Sequence, residues 1–257
     1  DAFMFFALAK GAVKIAGYEI SHVIEDIQSL NRKALKGELE VTAISAAVYP
    51  EVSDLYWIMS CGASVGRNYG PILVAEKKLS LKALEGKRIA VPGKQTTAFL
   101  LLNLFLDRFE PVQMDFNDII PAVKRGRADA GLVIHEGQLN FGSFGLVKCA
   151  DLGALWYEKY RLPIPLGLDV IRKDLGLEAA KKIQKGLYDS IRYARDNEKD
   201  ALEYAAEFGR GTVGGALKKF VGMYVNEDTL DLGSEGKSAL EILFKRGAEK
   251  GFFKALP

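Results

Sequence analysis

A histidine stands directly after a short apolar run in the middle of the chain. Residues 130–134 have the composition of a buried strand, His135 follows them, and Glu136 comes next. The pKa of an imidazole lies close to neutral pH, so His135 is a candidate general base. A hydrogen-bonded structural histidine beneath a loop would give the same pattern. Glu136 could orient the imidazole ring, or it could be a solvated charge.

Two threonines and an alanine open a predicted helix. Residues 87–91 have the composition of a buried strand, and residues 96–106 that of an apolar helix. This helix begins with Thr96, Thr97 and Ala98. The N–H groups of a first helical turn carry the positive end of the helix dipole and favour an anion. One threonine can cap the helix while the other hydroxyl faces a ligand, and capping alone is the alternative.

The same order of elements occurs earlier in the chain. A predicted helix over residues 27–35 precedes a predicted strand over residues 40–44, and Ser45 follows that strand as His135 follows the later one. Open α/β sheets bind ligands at the C-terminal ends of their strands. Ser45 could therefore face a ligand, or it could only cap a helix.

Residues 62–66 match G-x-S-x-G, the pattern of the nucleophile elbow in hydrolases. That elbow needs a helix directly after its serine, whereas a further predicted strand follows residues 67–70. The segment instead favours a glycine turn, with Gly66 among the residues whose backbone approaches a ligand. Tyr69 and Tyr224 could form a wall for a planar ligand or belong to the core.

The composition argues against several kinds of partner. The formal net charge is only +2 over 257 residues, with acidic and basic residues interspersed, so there is no basic stripe for nucleic acid and no polybasic membrane anchor. The apolar runs are far shorter than the roughly 20 residues of a membrane helix. The two cysteines and two histidines show neither a disulfide framework nor metal-ligand spacing. We expect a cytoplasmic protein that binds a small carboxylate without a metal or organic cofactor, and the sequence does not predict its oligomeric state.

The alternation of strand-like and helix-like segments predicts the fold class. Because the same order of elements occurs twice, we expect two lobes, each a mainly parallel sheet flanked by helices, with a ligand cleft between them. Residues 1–76 and 168–257, the latter mostly helical, are predicted to form lobe I, and residues 77–167 lobe II. Residues 18–24 alternate and are predicted to form a strand.

Short segments along nearly the whole chain carry a family resemblance. In order they are Asp1-Ala2-Phe3-Met4-Phe5, Glu25-Asp26-Ile27 with Leu30-Asn31, Gly66 with Gly70-Pro71, Val91-Pro92-Gly93 with Thr96-Thr97-Ala98, Ile134-His135-Glu136, Asp151-Leu152-Gly153, Leu162-Pro163-Ile164-Pro165-Leu166-Gly167 and Tyr224-Val225-Asn226. In these segments the chain resembles the 1,4-dihydroxy-6-naphthoate synthases of the futalosine route to menaquinone. No single segment is decisive, but the ordered set is specific.

The resemblance implies a type II periplasmic-binding-protein fold used as an enzyme. It implies a lyase that converts cyclic dehypoxanthine futalosine to the dihydroxynaphthoate with loss of the sugar-derived fragment, and it makes His135 the general base. The predicted substrate-binding positions, taken from the resemblance and from the patterns above, are Asp1, Ala43, Ile44, Ser45, Gly66, Thr96, Thr97, Ala98 and Glu136.

The chain departs from the family pattern in two places. Many members have lysine where this chain has Ala43, so that Lys94 or Arg67 would have to supply a cation near the substrate. The family's Ser-Pro-Cys-Pro-Asn segment would precede Asp1, and we expect that a segment is missing there. The related chorismate dehydratases share the fold, but the His135-Glu136 pair favours the synthase. The alternative from another class is a solute-binding protein that holds a small or aromatic carboxylate and catalyses nothing.

Overall fold

Two β-sheets organise the chain. The structure is a computed structural model that describes residues 2–135, 137–208, 214–253 and 256–257. The strands are β1 (Val41–Ser45), β2 (Tyr56–Ile58), β3 (Ser64–Gly66), β4 (Ile72–Ala75), β5 (Arg88–Val91), β6 (Glu110–Gln113), β7 (Ala130–Val133), β8 (Val147–Asp151) and β9 (Ile164–Arg172). The helices are α1 (Ala2–Ala9), α2 (Ile27–Ala34), α3 (Tyr49–Val52), α4 (Leu81–Leu84), α5 (Thr97–Phe105), α6 (Ile119–Lys124), α7 (Gly137–Asn140), α8 (Leu152–Tyr160), α9 (Leu177–Asp196), α10 (Glu198–Ala206), α11 (Gly214–Tyr224), α12 (Glu227–Leu230) and α13 (Gly233–Glu249).

The first sheet consists of β1, β2 and β3, which all pair with β9. Each of these pairings is antiparallel, and in the β1–β9 register Ala43 lies opposite Asp169 and Ser45 opposite Gly167. The prediction of a mainly parallel sheet is therefore wrong for the pairings of this sheet. β1, β2 and β3 do run in one direction, but β9 returns in the opposite direction and provides the hydrogen-bonded neighbour of each.

The second sheet has the strand order β6-β5-β7-β4-β8. β5 is parallel to both β6 and β7, as the alternation of strands and helices predicts. β4 is antiparallel to β7 and β8, because it enters directly from the first sheet without a crossover helix.

The chain passes from the first sheet to the second between β3 and β4, and it returns between β8 and β9. Non-glycine residues with left-handed backbone lie in both connections, Asn68 with φ +62° and Arg161 with φ +56°. Both crossings occur earlier in the chain than the predicted lobe boundaries at residues 76/77 and 167/168, since β4 belongs to the second sheet and all of β9 to the first. The division into lobes by residue number stays a prediction.

The buried core is continuous between the two sheets. Ile44 and Leu168 of the first sheet and Ile89 and Leu132 of the second belong to one cluster of buried side chains. Residues 97–102 of α5 are all buried, because this helix is apolar around its whole circumference and packs within the cluster. The shared core therefore holds the start of α5 close to β1 and β9.

One predicted strand is wrong. Residues 18–24 form no strand, and the side chains of Tyr18, Ile20, Val23 and Ile24 are 38–52% exposed. The alternation buries neither face of this segment, because no strand of the described residues pairs with it.

The predicted helices agree with the structure. Those over residues 27–35 and 96–106 correspond to α2 and α5, and the mostly helical stretch predicted over residues 168–257 contains α9 to α13 after β9. Asp26 caps α2 by accepting the N–H groups of Gln28 and Ser29. Within the described residues, no helix is both long and apolar enough to cross a membrane.

Candidate functional site

A cavity of about 350 Å³ lies where elements of the two sheets meet. Its walls come from the first residues of α1, the segment that leads into α2, the ends of β1 and β7, the start of α5, the middle of β9 and the helices α10 and α11. The structure brings seven of the predicted site residues together in this cavity: Ala43, Ile44, Ser45, Thr96, Thr97, Ala98 and His135. Asp1 and Glu136 lie outside the described residues, and Gly66 is not among the lining residues.

His135 follows β7 with a backbone φ of +54°, in the left-handed region. A non-glycine residue held in such a sparsely populated region costs about 1–3 kcal/mol, and such strain is concentrated at functional sites. The half-buried imidazole contacts the ring of Phe116, with 4.8 Å between ring centroids and 59° between ring planes. The end of β7 and the start of α7 thus hold an imidazole at the cavity wall, where it can accept a proton from a bound molecule.

Ser45 is positioned by a fully buried asparagine of α2. The side chain of Asn31 accepts the Ser45 N–H at 2.8 Å and donates from Nδ2 to the Ser45 Oγ at 3.0 Å. The Ser45 hydroxyl makes no capping bond to the 3-10 helix Ala46–Val48 that follows, so the capping interpretation is wrong. Because the oxygen accepts from Asn31, the hydroxyl proton can be donated to a ligand.

Thr96 provides the cap of α5. Its Oγ1 accepts the N–H of Phe99 at 3.2 Å and donates to the carbonyl oxygen of Gly93 at 2.8 Å. The N–H groups of Thr97 and Ala98 lie in the first turn, where a helix offers them no partner. N–H groups at such a helix start can bind an anion, and Thr97 and Ala98 both line the cavity.

The hydroxyl of Thr97 connects three elements. Its Oγ1 donates to the carbonyl oxygen of Leu166 in β9 at 2.7 Å and accepts the N–H of Ala47 at 3.1 Å. A hydroxyl carries one proton, and that of Thr97 is used within the protein. Thr97 can thus offer a ligand its backbone N–H and one remaining lone pair of the hydroxyl.

The glycine-rich segment shapes the first sheet. A Cβ atom on Gly66 would lie 2.1 Å from the carbonyl oxygen of Tyr69, so only glycine fits this turn. Ser64 does line the cavity, but it lies inside β3, and the next element is the strand β4. The helix that must follow a nucleophile elbow is therefore absent between these strands, and the segment does not form a hydrolase nucleophile.

One side of the cavity is apolar and aromatic. Phe208 and the α11 side chains of Leu217, Phe220 and Val221 line it. Tyr224 adds its ring to this wall, which can cover the face of a planar ligand. Tyr69 is not a lining residue, but its ring packs against that of Tyr224 with 5.8 Å between centroids and 72° between planes.

Tyr224 also joins α11 to α7 through a hydrogen bond. Its hydroxyl donates to the Oε1 of Gln138 at 3.1 Å, and Gln138 lies in α7, directly after the His135 segment. Burial raises the pKa of the Tyr224 phenol well above its usual range, so the hydroxyl keeps its proton as a hydrogen-bond donor.

The charges at the cavity differ from the predicted ones. Among the described lining residues there is no lysine or arginine, and neither Lys94 nor Arg67 contributes to the wall. Arg67 is held elsewhere, in a two-bond ion pair with Asp228 (2.7 and 2.8 Å) and in a contact with Glu235 (2.9 Å). In the part of the chain that the structure describes, no group of three His, Cys, Asp or Glu side chains is arranged to hold a metal ion.

Asp169 lines the cavity although no sequence pattern above pointed to it. It is 1% exposed and lies in the middle of β9, where its neighbours Leu168 and Val170 are also buried. A lone carboxyl residue within an apolar strand is the signal that could have identified it, since aspartate is almost never fully buried without a partner.

Comparisons with known proteins agree with this architecture. A family model described as menaquinone biosynthesis matches residues 1–249. A 1,4-dihydroxy-6-naphtoate synthase of Thermus thermophilus is 38% identical to this chain, over all of the chain and 93% of the relative. The protein of the same name from Streptomyces coelicolor is 37% identical, over all of the chain and 92% of the relative.

Solved structures show the same fold. A protein from Archaeoglobus fulgidus has a TM-score of 0.94 at 47% identity, over 98% of this chain and 94% of its own. The alkanesulfonate-binding protein of Xanthomonas axonopodis pv. citri has a TM-score of 0.72 at 12% identity, over all of this chain and 91% of its own. The fold is therefore the two-lobed α/β fold of periplasmic solute-binding proteins, and by sequence the chain belongs to the menaquinone biosynthesis family.

Proposed function

We propose that this chain is a carbon–carbon lyase that converts cyclic dehypoxanthine futalosine to 1,4-dihydroxy-6-naphthoate, with His135 as the general base. The observation that carries the proposal is the full-length similarity to two 1,4-dihydroxy-6-naphtoate synthases, combined with a histidine in strained backbone geometry at the cavity wall. A role in menaquinone biosynthesis follows from the family.

The carboxylate of the substrate would bind at the junction of β1 and α5. The Ser45 hydroxyl can donate one hydrogen bond there, and the first N–H groups of α5 at Thr97 and Ala98 can donate others. This arrangement binds a carboxylate without a lysine or arginine in the cavity wall. The aromatic side chains of α11 would cover the planar ring system.

His135 would then remove a proton from the bound substrate. The electron pair left behind forms the new double bond that completes the aromatic ring. The sugar-derived fragment leaves with the electron pair of the broken carbon–carbon bond and takes up the proton from the His135 imidazolium. A positioned base contributes about 10²- to 10⁴-fold to the rate of such a step. Orientation of the substrate and exclusion of water from the cavity would supply a large part of the remaining acceleration.

The first experiment is an incubation of the purified protein with cyclic dehypoxanthine futalosine, with naphthoate formation followed by mass spectrometry. We expect product from the wild type and at least a 100-fold slower reaction from His135→Asn, since the positioned base accounts for about that much. Asparagine tolerates the left-handed backbone of position 135, so this variant removes the base while it keeps the turn.

His22→Asn is the matched control, because His22 is half-buried and does not line the cavity. It should retain activity. Equal rates for the wild type and His135→Asn would exclude His135 as the base. Tight binding without product from the wild type would favour the alternative, a solute-binding protein with the fold of the alkanesulfonate-binding relative. A cytoplasmic location forms part of the enzyme proposal.

A further inference from the structure

Asp169 is a buried carboxyl group that faces the cavity and has no hydrogen-bond partner among the described residues. Its side chain is 1% exposed and lines the cavity. Both oxygens, Oδ1 and Oδ2, are buried and receive no hydrogen bond. Its backbone, by contrast, is well bonded in β9, where the carbonyl oxygen accepts the N–H of Met59 at 2.9 Å.

Among the described residues, the neighbours on either side in the first sheet offer this carboxyl no donor. In β1 the directly opposite residue is Ala43, whose methyl group also lines the cavity and carries no charge. On the other side lies Gly62, which has φ +91°, and a Cβ atom there would lie 2.1 Å from Asp169 Oδ2. The chain at Gly62 thus fits closely against the carboxyl group on this side.

A carboxyl group in this position is costly for the folded protein alone. Burial without a hydrogen bond disfavours the charged form and raises the pKa of Asp169 to about 7. The same burial, together with the charge of Asp169, raises the pKa of the neighbouring Cys61 thiol to about 12, so this thiol is uncharged at neutral pH. Cys61 therefore does not neutralise Asp169, and the described residues give this carboxyl no hydrogen bond.

We propose that Asp169 binds the substrate by accepting hydrogen bonds from hydroxyl groups of its sugar-derived part. In its ionised form, which prevails at pH 8, the Asp169 carboxylate only accepts hydrogen bonds. This form repels the substrate carboxylate and selects a group that donates. The proposed cavity therefore has two subsites. Ser45 and the start of α5 donate hydrogen bonds to the substrate carboxylate, and Asp169 accepts hydrogen bonds from substrate hydroxyls. The identity of the ligand rests on the function proposed above, whereas the preference for a donor rests on the geometry of Asp169.

Ligand affinities in a non-reacting background test this assignment. In His135→Asn protein, calorimetry would measure the dissociation constants of cyclic dehypoxanthine futalosine and of the product 1,4-dihydroxy-6-naphthoate, which keeps the carboxylate and lacks the sugar-derived fragment. We expect that adding Asp169→Asn weakens binding of the first compound by about 10- to 100-fold, as for hydrogen bonds to a charged group. Binding of the naphthoate should change by less than about 2-fold, since it makes no such bond.

Thermal unfolding at pH 8 without ligand separates a binding role of Asp169 from a structural one. Asp169→Asn should unfold at the same temperature as the wild type or at a higher one. The control Asp228→Asn loses the ion pair with Arg67 and should unfold at a lower temperature than the wild type.

Three results would overturn the assignment. The first is an equal loss of affinity for both compounds, or no loss, in Asp169→Asn. The second is a lower unfolding temperature for that variant, which would make Asp169 a structural residue. The third is that the His135→Asn parent binds neither compound. This last result would remove the proposed function as well, so the two failures are distinguishable.

Discussion

At the scale of single residues, a buried carboxyl without a partner makes the stability of the protein depend on pH. The pKa of Asp169 is about 7 in the folded protein and near 3.9 in an unfolded chain. Between these values the folded protein binds a proton that the unfolded chain has released. The contribution of Asp169 to the free energy of unfolding therefore falls as the pH rises from about 4 to about 7.

Asp169→Asn removes this titration. Relative to the wild type, we expect its free energy of unfolding to increase with pH over this interval, by up to about 4 kcal/mol above pH 7. Urea unfolding of both proteins at pH 4.5, 6 and 8 measures the difference. Asp228→Asn is the control and should be less stable than the wild type by about 1–3 kcal/mol at pH 8, because it weakens a charged hydrogen bond to Arg67. A difference between wild type and Asp169→Asn that does not vary with pH would contradict the buried, unpaired state of this carboxyl.

At the scale of elements, one hydroxyl fixes the start of α5 against both β9 and the 3-10 helix after β1. Thr97→Val keeps the shape of the side chain but leaves the Leu166 carbonyl and the Ala47 N–H without their partner. We expect a loss of about 1–3 kcal/mol in the free energy of unfolding, the cost of leaving buried polar groups unpaired.

Thr97→Ser is the matched variant, because it keeps the hydroxyl and loses only a methyl group. It should be clearly more stable than Thr97→Val in urea unfolding. Equal stability of the two variants would show that the hydroxyl does not hold these elements together.

At the scale of the whole molecule, two lobes with a ligand cleft should close on the ligand. The hydrogen bond from the Tyr224 hydroxyl to Gln138 joins α11 to α7, the helix after β7. We expect this bond to favour the closed form. We expect Tyr224→Phe to weaken binding of cyclic dehypoxanthine futalosine by about 2- to 10-fold, the worth of one uncharged hydrogen bond. Calorimetry of the two proteins in the His135→Asn background would measure this.

Small-angle scattering tests the motion itself. The radius of gyration should fall when saturating cyclic dehypoxanthine futalosine is added, and the fall should be smaller for Tyr224→Phe. Tyr69→Phe is the control. The Tyr69 hydroxyl donates to the carbonyl oxygen of Met223, which lies in α11 next to Tyr224, and it makes no bond to α7. An unchanged radius in the wild type with bound ligand would argue against closure.

The sequence by itself determined the features that depend on neighbouring residues along the chain. The apolar run that became α5, the threonine cap at its start, and the polar residues Ser45 and His135 at the ends of their strands are all local patterns. Helix periodicity and capping act over only a few residues, so a single sequence is enough to predict them. The ordered family segments added the fold class and the link to menaquinone biosynthesis.

The tertiary structure alone decided which distant residues meet. Residues 18–24 and β1 both have strand-like sequences, yet only β1 finds a partner, the strand β9. That pairing sets Ala43 opposite Asp169, and it leaves Asp169 buried without a partner. Strand pairing and desolvation depend on contacts between residues far apart in the chain, which local periodicity does not encode. For that reason only the tertiary structure revealed the buried carboxyl of Asp169 and the apolar α11 side chains that join Tyr224 in the cavity wall.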